Sequence, residues 1–446
     1  MKKLMVPLFA LGLMFATAGI AGAQCEVNIY GASAQHLFWN AGVATWLGLP
    51  TANGGAGCST VSGPFNDSTV KHAVATGTGC GLAGCPNIII RYSSKNSCAG
   101  LQALACIGDP DTCGNTCLRK MADENSVVGG IVTALKCVNP THGCADVAAA
   151  SLSQSSAGQL LGPLGGGYVT KGPCGVVANP AWSIHRSFIV PFAFFLNQAV
   201  TEKRCAGGTR DGQPCVNNTH CPGGTCGAPA PLQNISRMMA VMIFSGNAFN
   251  WNDFGNAYPS KAIEACLRHA GSGTHATLDY AVMRGIDWGW ALPTVQSLPP
   301  NQPIFYFNDG STDMMKCVNG EGVPPHAPNF PTGTNTLGRI GYADADQGNR
   351  TFTYGPVKYN GFAPLRGPIR NGQYDFWSAQ WCYDDCTGVN GCPVVEASLY
   401  AWADRNVPTA KADYWTPICE MTYNKATDQD YPNYVGASCP RDPNYP

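Results

Sequence analysis

The chain has 446 residues, 27 basic and 28 acidic, a formal net charge of −1 and only 12% charged side chains, about half the roughly 25% usual in soluble proteins. A chain so close to neutral carries no global field to recruit nucleic acid or an anionic membrane, so any anion it binds must be caught by a local site. Its 22 cysteines, 53 glycines and 33 prolines describe a loop-rich chain held by covalent cross-links, long enough for two or three domains.

Lys2 and Lys3 precede an apolar and small-residue run from Leu4 that ends in Ala21-Gly22-Ala23. This pattern reads as a secretory signal peptide over residues 1–23. The alternative is a retained anchor, because the run approaches the ~18 apolar residues that span a bilayer. Gln24 stands before Cys25, where a lipidation signal has a small residue. The expected location is periplasmic or extracellular, with no stable membrane insertion after cleavage. In that compartment an even number of cysteines reads as disulfides. Cys80/Cys85, Cys113/Cys117 and Cys382/Cys386/Cys392 are close enough in sequence to share a metal, but none has zinc or haem spacing. No metal and no cofactor are expected.

After the leader, Val27 to Tyr30 predicts a short strand, followed by a Gly-Ala-Ser turn and a helix with Leu37, Phe38, Ala41 and Ala44 on one face. A second unit repeats this order: a strand at Ile88 to Ile90, the polar loop Ser-Ser-Lys-Asn-Ser, then helix formers. "GQLLGPLGGGYVTKG" is glycine-rich but lacks the Lys-Ser/Thr pair of a nucleotide-binding loop. Cys205 to Cys226 packs four cysteines among turn residues and reads as a stapled surface excursion, a knuckle with His220 being the alternative. The third unit runs from Ala262 to Leu267 through Gly271-Ser272-Gly273-Thr274 into Leu278, Ala281, Val282 and Ile286. A last helical pattern covers Val395 to Ala403, before a Pro-, Tyr- and Asp-rich tail.

Three loops rich in Ser and Gly thus stand at predicted helix starts. Unpaired N–H groups and partial positive charge there suit an anion, although each hydroxyl could instead cap its own helix. Arg268, three residues before Gly271, weights the set toward an anion clamp.

The sequence resembles the periplasmic phosphate-binding proteins, the substrate-binding components of bacterial phosphate ABC transporters. "YGASA", "RYSSKNSCAGL", "IVPFAFFLN", "MIFSGNAFNWND", "LRHAGSGT" and "GRIGYADAD" are similar to that family's landmarks in the same order, followed by "VKYNGFAP" and "NGQYDFW". The resemblance spans about Val27 to Trp377 and implies a two-lobed, mixed α/β periplasmic-binding-protein-like fold, disulfide-rich here, that closes about a hinge on an oxyanion. It implies lobe 1 at residues 24–190 and 355–446, the latter with a C-terminal wrap, and lobe 2 at 191–354 with the insertion 205–226. The chain would cross near Ile189 and return after Tyr342. Ser33 and the backbone of Ala34 would supply the first loop's donors, Ser97 the second's, Arg268 the charge, and Ser272, Gly273 and Thr274 the donors of lobe 2. Hydrogen bonds to charged groups net roughly 1.5–3 kcal/mol each, and a micromolar dissociation constant needs about 8 kcal/mol, so four or five donors suffice.

Three departures matter. Ala34 stands where the family has Phe, Ala270 where it has an acidic residue, and Ser151 where an Asp accepts the proton that phosphate keeps near neutral pH. Asp146 lies five residues before that position and is expected to cap or pair structurally. A serine both accepts and donates, so the expected site discriminates poorly between phosphate and sulfate unless Asp109 or another acid enters from Cys106 to Cys117. The expected partners are phosphate or a related oxyanion and an ABC permease. No enzyme is expected: the elbow Gly-x-Ser-x-Gly is absent around Ser272, despite His269 and His275 nearby, and Glu, Asp and His form no other compact set in sequence. The competing reading is a secreted, disulfide-stapled structural or surface protein that reuses the fold. The many tryptophans, Trp39, Trp46, Trp251, Trp288, Trp290 and Trp377 among them, read as core.

Overall fold

A computed structural model describes residues 24–108, 111–149, 152, 176, 178–268, 271–284, 304–308, 310–321, 338–389 and 391–445. The leader, the glycine-rich stretch 158–172, Asp109, Ser151, His269, Ala270, Ile286, Trp288 and Trp290 lie outside the described residues.

The main elements in chain order are β1 (Gln24–Ala32), α1 (His36–Gly48), β2 (Thr60–Asp67), β3 (His72–Thr78), β4 (Asn87–Lys95), α2 (Ser97–Leu104), β5 (His142–Ala145), β6 (Ser183–Asn197), α3 (Arg237–Phe244), β7 (Glu264–Arg268), α4 (Gly273–Thr277), β8 (Ile304–Asn308), α5 (Ser311–Asn319), β9 (Arg339–Asp344), β10 (Trp377–Asp384) and α6 (Cys392–Ala403). They form a mixed α/β structure whose strand order is β8-β7-β9-β6-β10-β5-β1-β4-β3-β2. Within it β1 is parallel to β4 and β5, and β7 is parallel to β8 and β9.

The two parallel sets are joined by β6. Its first nine residues pair with β10, Ser183 opposite Asp384 through Pro191 opposite Trp377, and its last residues pair with β9, Phe192 opposite Asp344 through Leu196 opposite Ile340. From Phe188 to Leu196 the strand is almost wholly apolar and buried, the continuous pattern of a strand covered on both faces rather than the alternation of a half-exposed one. Pro191 stands where the partner changes. It cannot donate to a ladder, and its carbonyl instead accepts the N–H of Ala345 at 2.9 Å.

Helix α1 forms where expected but turns a different face inward. Phe38, Trp39, Gly42, Val43, Trp46 and Leu47 are buried, whereas Leu37 is 40% exposed and Ala41 faces solvent. Two adjacent residues per turn, Phe38/Trp39, Gly42/Val43 and Trp46/Leu47, make the wide apolar stripe of a core-facing helix. The large rings decided the orientation because they remove the most area from water. Trp251 and Trp377 are core as well.

Ten disulfides join described cysteines: in the sets close in sequence Cys80 bonds Cys58, Cys85 bonds Cys25, Cys113 bonds Cys137, Cys117 bonds Cys106 and Cys382 bonds Cys144, while Cys386 and Cys392 bond each other. Cys205–Cys221 and Cys215–Cys226 close the cysteine-rich excursion on itself, and Cys419–Cys439 staples the tail. Among the described residues no helix is long and apolar enough to cross a membrane.

Cys144–Cys382 ties register partners on β5 and β10 across a sequence separation of 238. Long-loop cross-links restrict the unfolded chain most, so the double variant Cys144→Ala/Cys382→Ala is expected to lose about 2–5 kcal/mol of stability. The midpoint of guanidinium unfolding checks this; an unchanged midpoint would show that the bond constrains nothing the other cross-links do not.

Candidate functional site

The carboxyl ends of both parallel sets carry the polar residues. The turn 33–35 follows β1, Asn96 and Ser97 follow β4, Asp146 follows β5, Arg268 ends β7, Ser311 opens α5 after β8, and Asp344 ends β9. In open α/β sheets that edge is where ligands bind.

The two sets touch there. The N–H of Cys98 donates to the carbonyl of Gly271 at 3.2 Å. Gly273 is in hard contact with the other side: a Cβ built on it would lie 2.1 Å from Ser97 Oγ and 2.6 Å from Asp146 Oδ2. Only glycine permits this approach. Ser97 Oγ in turn accepts the N–H of Asp146 at 2.9 Å, so Ser97, Asp146 and Gly273 form one cluster.

Arg268 is 1% exposed. Its Nη1 donates to Ser311 Oγ at 3.1 Å and to Thr274 Oγ1 at 3.5 Å, and Ser311 Oγ donates to Asp344 Oδ2 at 3.4 Å. The backbone N–H of Arg268 donates to the Tyr342 hydroxyl at 3.0 Å, which also bonds His275 Nδ1. The arginine is therefore held by α4, α5 and β9 together.

Two buried carboxyls face this one guanidinium. Burial, reinforced by the charge of Asp344, pushes Asp146 up to about 7, against Arg268 and the Ser97 hydrogen bond. Burial, reinforced by Asp346, likewise raises Asp344 well above the usual carboxylate range, against Arg268, Gln347 and Ser311. Oδ1 of each carboxyl has no hydrogen-bond partner among the described residues. One cation and two acids held up by burial make a cluster whose protonation is sensitive to nearby charge.

The structure brings together Ser97, Arg268, Gly273 and Thr274 of the expected residues. Ser272 is in the same turn, but its hydroxyl accepts the His275 N–H at 3.4 Å as the cap of α4, the local role that any hydroxyl at a helix start can take. In the second loop the cap is Asn96, which accepts the Ala99 N–H at 2.9 Å, leaving Ser97 to face Asp146. Ser33 is half-buried and Ala34 buried on the turn after β1. The side chain of Gln35 donates to the Ala145 carbonyl at 3.2 Å, which sets that turn beside the residue preceding Asp146.

Asp146, expected to cap or pair structurally, lies in this cluster, against Ser97 and Gly273. The signal was weak because β5 is only four residues long. Ser311 was also missed, although "DGSTDMM" has the same Gly-Ser helix start as the loops that were recognised.

No family model matches the chain, and no curated protein matches it. Twenty-nine solved chains match its structure. They include the ancestral soluble variant of the human phosphate-binding protein, 12% identical over 91% of this chain and 96% of that one with a TM-score of 0.43. A phosphate-binding protein from Stenotrophomonas maltophilia is 12% identical over 89% and 91%, with a TM-score of 0.41. An ABC-type phosphate transport receptor from Vibrio cholerae is 13% identical over 50% and 68%, with a TM-score of 0.31. These are proteins of the family that the sequence motifs resemble.

The raised Asp146 fixes a sign for ligand-free stability. Folded, it keeps its proton to about pH 7; unfolded, to about pH 4. The stability this proton confers is complete below pH 4 and is lost as pH rises to 7. Between pH 4 and 8 the ligand-free protein should therefore lose about 2–4 kcal/mol more than Asp146→Asn does. Urea unfolding at several pH values measures it, and superimposable profiles would show that Asp146 is not held protonated.

Proposed function

We propose that the chain is an extracytoplasmic solute-binding protein that captures an inorganic oxyanion, phosphate before others, and passes it to an ABC permease. The observation that carries this reading is the buried Arg268, bonded to Thr274 and Ser311 and placed where Gly271 and Gly273 meet Ser97 and Cys98 across the two parallel sets. A buried guanidinium with hydroxyl and backbone donors around it suits a compact tetrahedral anion.

In this reading residues 24–190 with 355–446 form one lobe and residues 191–354 the other. Strand β6 is the hinge, with the change of partner at Pro191 as its pivot. Closure is driven by contacts the anion makes to both lobes at once. Ser33, the Ala34 N–H, Ser97, Arg268, the Gly273 N–H and Thr274 bind the anion, with Ser272 capping α4. Ser151 is also proposed as a ligand residue.

Asp146 changes the expected selectivity. A carboxylate accepts the hydrogen of a protonated phosphate oxygen and repels sulfate, which has none to give. The poor discrimination expected from a site without an acid gives way to a preference for phosphate.

Isothermal titration of the mature, oxidised protein tests this. Phosphate should bind more tightly than sulfate, and Asp146→Asn should narrow the ratio. Arg268→Ala should weaken phosphate by at least about 30-fold, the loss of a desolvated charged partner costing about 2–5 kcal/mol. Gly273→Ala should weaken both anions by roughly 5- to 150-fold, because overpacking of about 1–3 kcal/mol opposes closure. No heat with either anion, from folded protein shown to be free of carried-over ligand, would reject the binding function in favour of a structural role for the fold.

A further inference from the structure

A second constellation lies at the other end of β5. His142 opens the strand that Asp146 follows, four residues and ~13 Å away at the rise of an extended chain. His142 is the register partner of Asp384 at the end of β10, and Asp384 is also opposite Ser183 on β6, two residues from His185. Helix α6 adds Glu396. His185 Nε2 lies 2.6 Å from Glu396 Oε1 and 3.3 Å from Asp384 Oδ2. Ligand atoms of His185, Asp384 and Glu396 all fall within 4.8 Å of one another, and His142 falls in a second such triple, with Glu396 and the disulfide-bonded Cys386.

Thr141 holds the His142 ring in place. The Thr141 hydroxyl is placed to donate to the Asn28 carbonyl at 3.3 Å and accepts the Asn28 N–H at 2.8 Å. A hydroxyl has one proton, which goes either to that carbonyl or to His142 Nδ1 at 2.8 Å. The other ring nitrogen, Nε2, is buried without a hydrogen-bond partner among the described residues. His142 is 0% exposed.

Two carboxylates thus meet at one His185 N–H, and His142 Nε2 has no partner among the described residues. Asp384 Oδ2 also lacks a well-aligned partner. Stacking on the Tyr400 ring, at 3.9 Å and 4° between planes, fixes His185. Two imidazoles and two carboxylates, one imidazole oriented by an outer hydroxyl, are the donor set of a tetrahedral borderline cation.

We propose that His142, His185, Asp384 and Glu396 form a binding site for a divalent transition-metal ion of the zinc class, separate from the anion site. Bonds of about 2.0–2.2 Å place tetrahedral ligands roughly 3.3–3.5 Å apart. The 3.3 Å between His185 and Asp384 already fits, and the 2.6 Å between His185 and Glu396 widens as the metal takes the place of the proton between them. That proton leaves to solvent when the ion binds. His185, with 27% of its side chain exposed, is the side open to entry, while Asp384 is nearly enclosed.

The test uses the mature, oxidised, chelator-treated protein and zinc chloride, with bound metal counted by elemental analysis after desalting and affinity read by calorimetry. One equivalent per chain is expected. Glu396→Gln and His142→Gln should each weaken zinc by at least about 10-fold, and Thr141→Val, which frees the His142 ring without removing a ligand, should weaken it about 10- to 100-fold. Circular dichroism establishes that each variant is folded. Cobalt(II) gives an independent reading on the unaltered protein: visible absorption of a tetrahedral ion with nitrogen and oxygen ligands and no thiolate band. A protein that retains no zinc and gives no such cobalt spectrum would overturn the site, as would zinc affinity unchanged in both ligand variants.

Discussion

Strand β6 belongs to two sheets at once, and the remaining architecture follows from how it changes partner. A strand that is hydrogen-bonded to β10 over one half and to β9 over the other sets two parallel groups running in opposite directions, with their carboxyl ends turned toward each other at the changeover. The apolar run Phe188 to Leu196 is buried along its full length, so the strand that joins the two sets resists fraying. Pro191 sits where a missing N–H costs nothing, since neither ladder needs a donor at the changeover.

What gathers at those edges is electrostatically unusual. A single buried guanidinium faces Asp146 and Asp344, whose carboxyls are held up by burial. In water these groups would simply ionise. Inside the protein a dehydrated carboxylate is costly, and the attraction of Arg268 does not restore either acid to its ordinary range. The site is thus poised to trade protons with a ligand, which is a different property from merely attracting negative charge. Gly273 makes it possible, because any side chain there would hold Ser97 and Asp146 away from the loop that carries Arg268's neighbours.

The low charge of the chain and its cysteines belong together. With few surface ion pairs and many turns, order is imposed by bonds such as Cys144–Cys382, which ties β5 to β10, and by the two internal bonds that close the 205–226 excursion. Both polar constellations, the anion cluster and the histidine-carboxylate cluster, are built at opposite ends of β5, so that one cross-linked strand positions both.

The sequence by itself determined the three strand-loop-helix units and the Gly-Ser loops with Arg268, because each depends on residues within a few positions of one another: periodicity, turn chemistry and helix capping are local. It also announced the oxidised, cross-linked character of the chain. It misjudged the buried face of α1, since Leu37 and Phe38 look equally apolar until the neighbouring rings are in place. It did not show that Asp146 lies against Gly273, since a four-residue strand leaves almost no pattern. The pairing of the described cysteines, the meeting of Ser97 with Gly273, and the closeness of His185, Asp384 and Glu396 were decided only by tertiary structure. Each joins residues tens to hundreds of positions apart, and no local preference specifies which distant strands lie side by side.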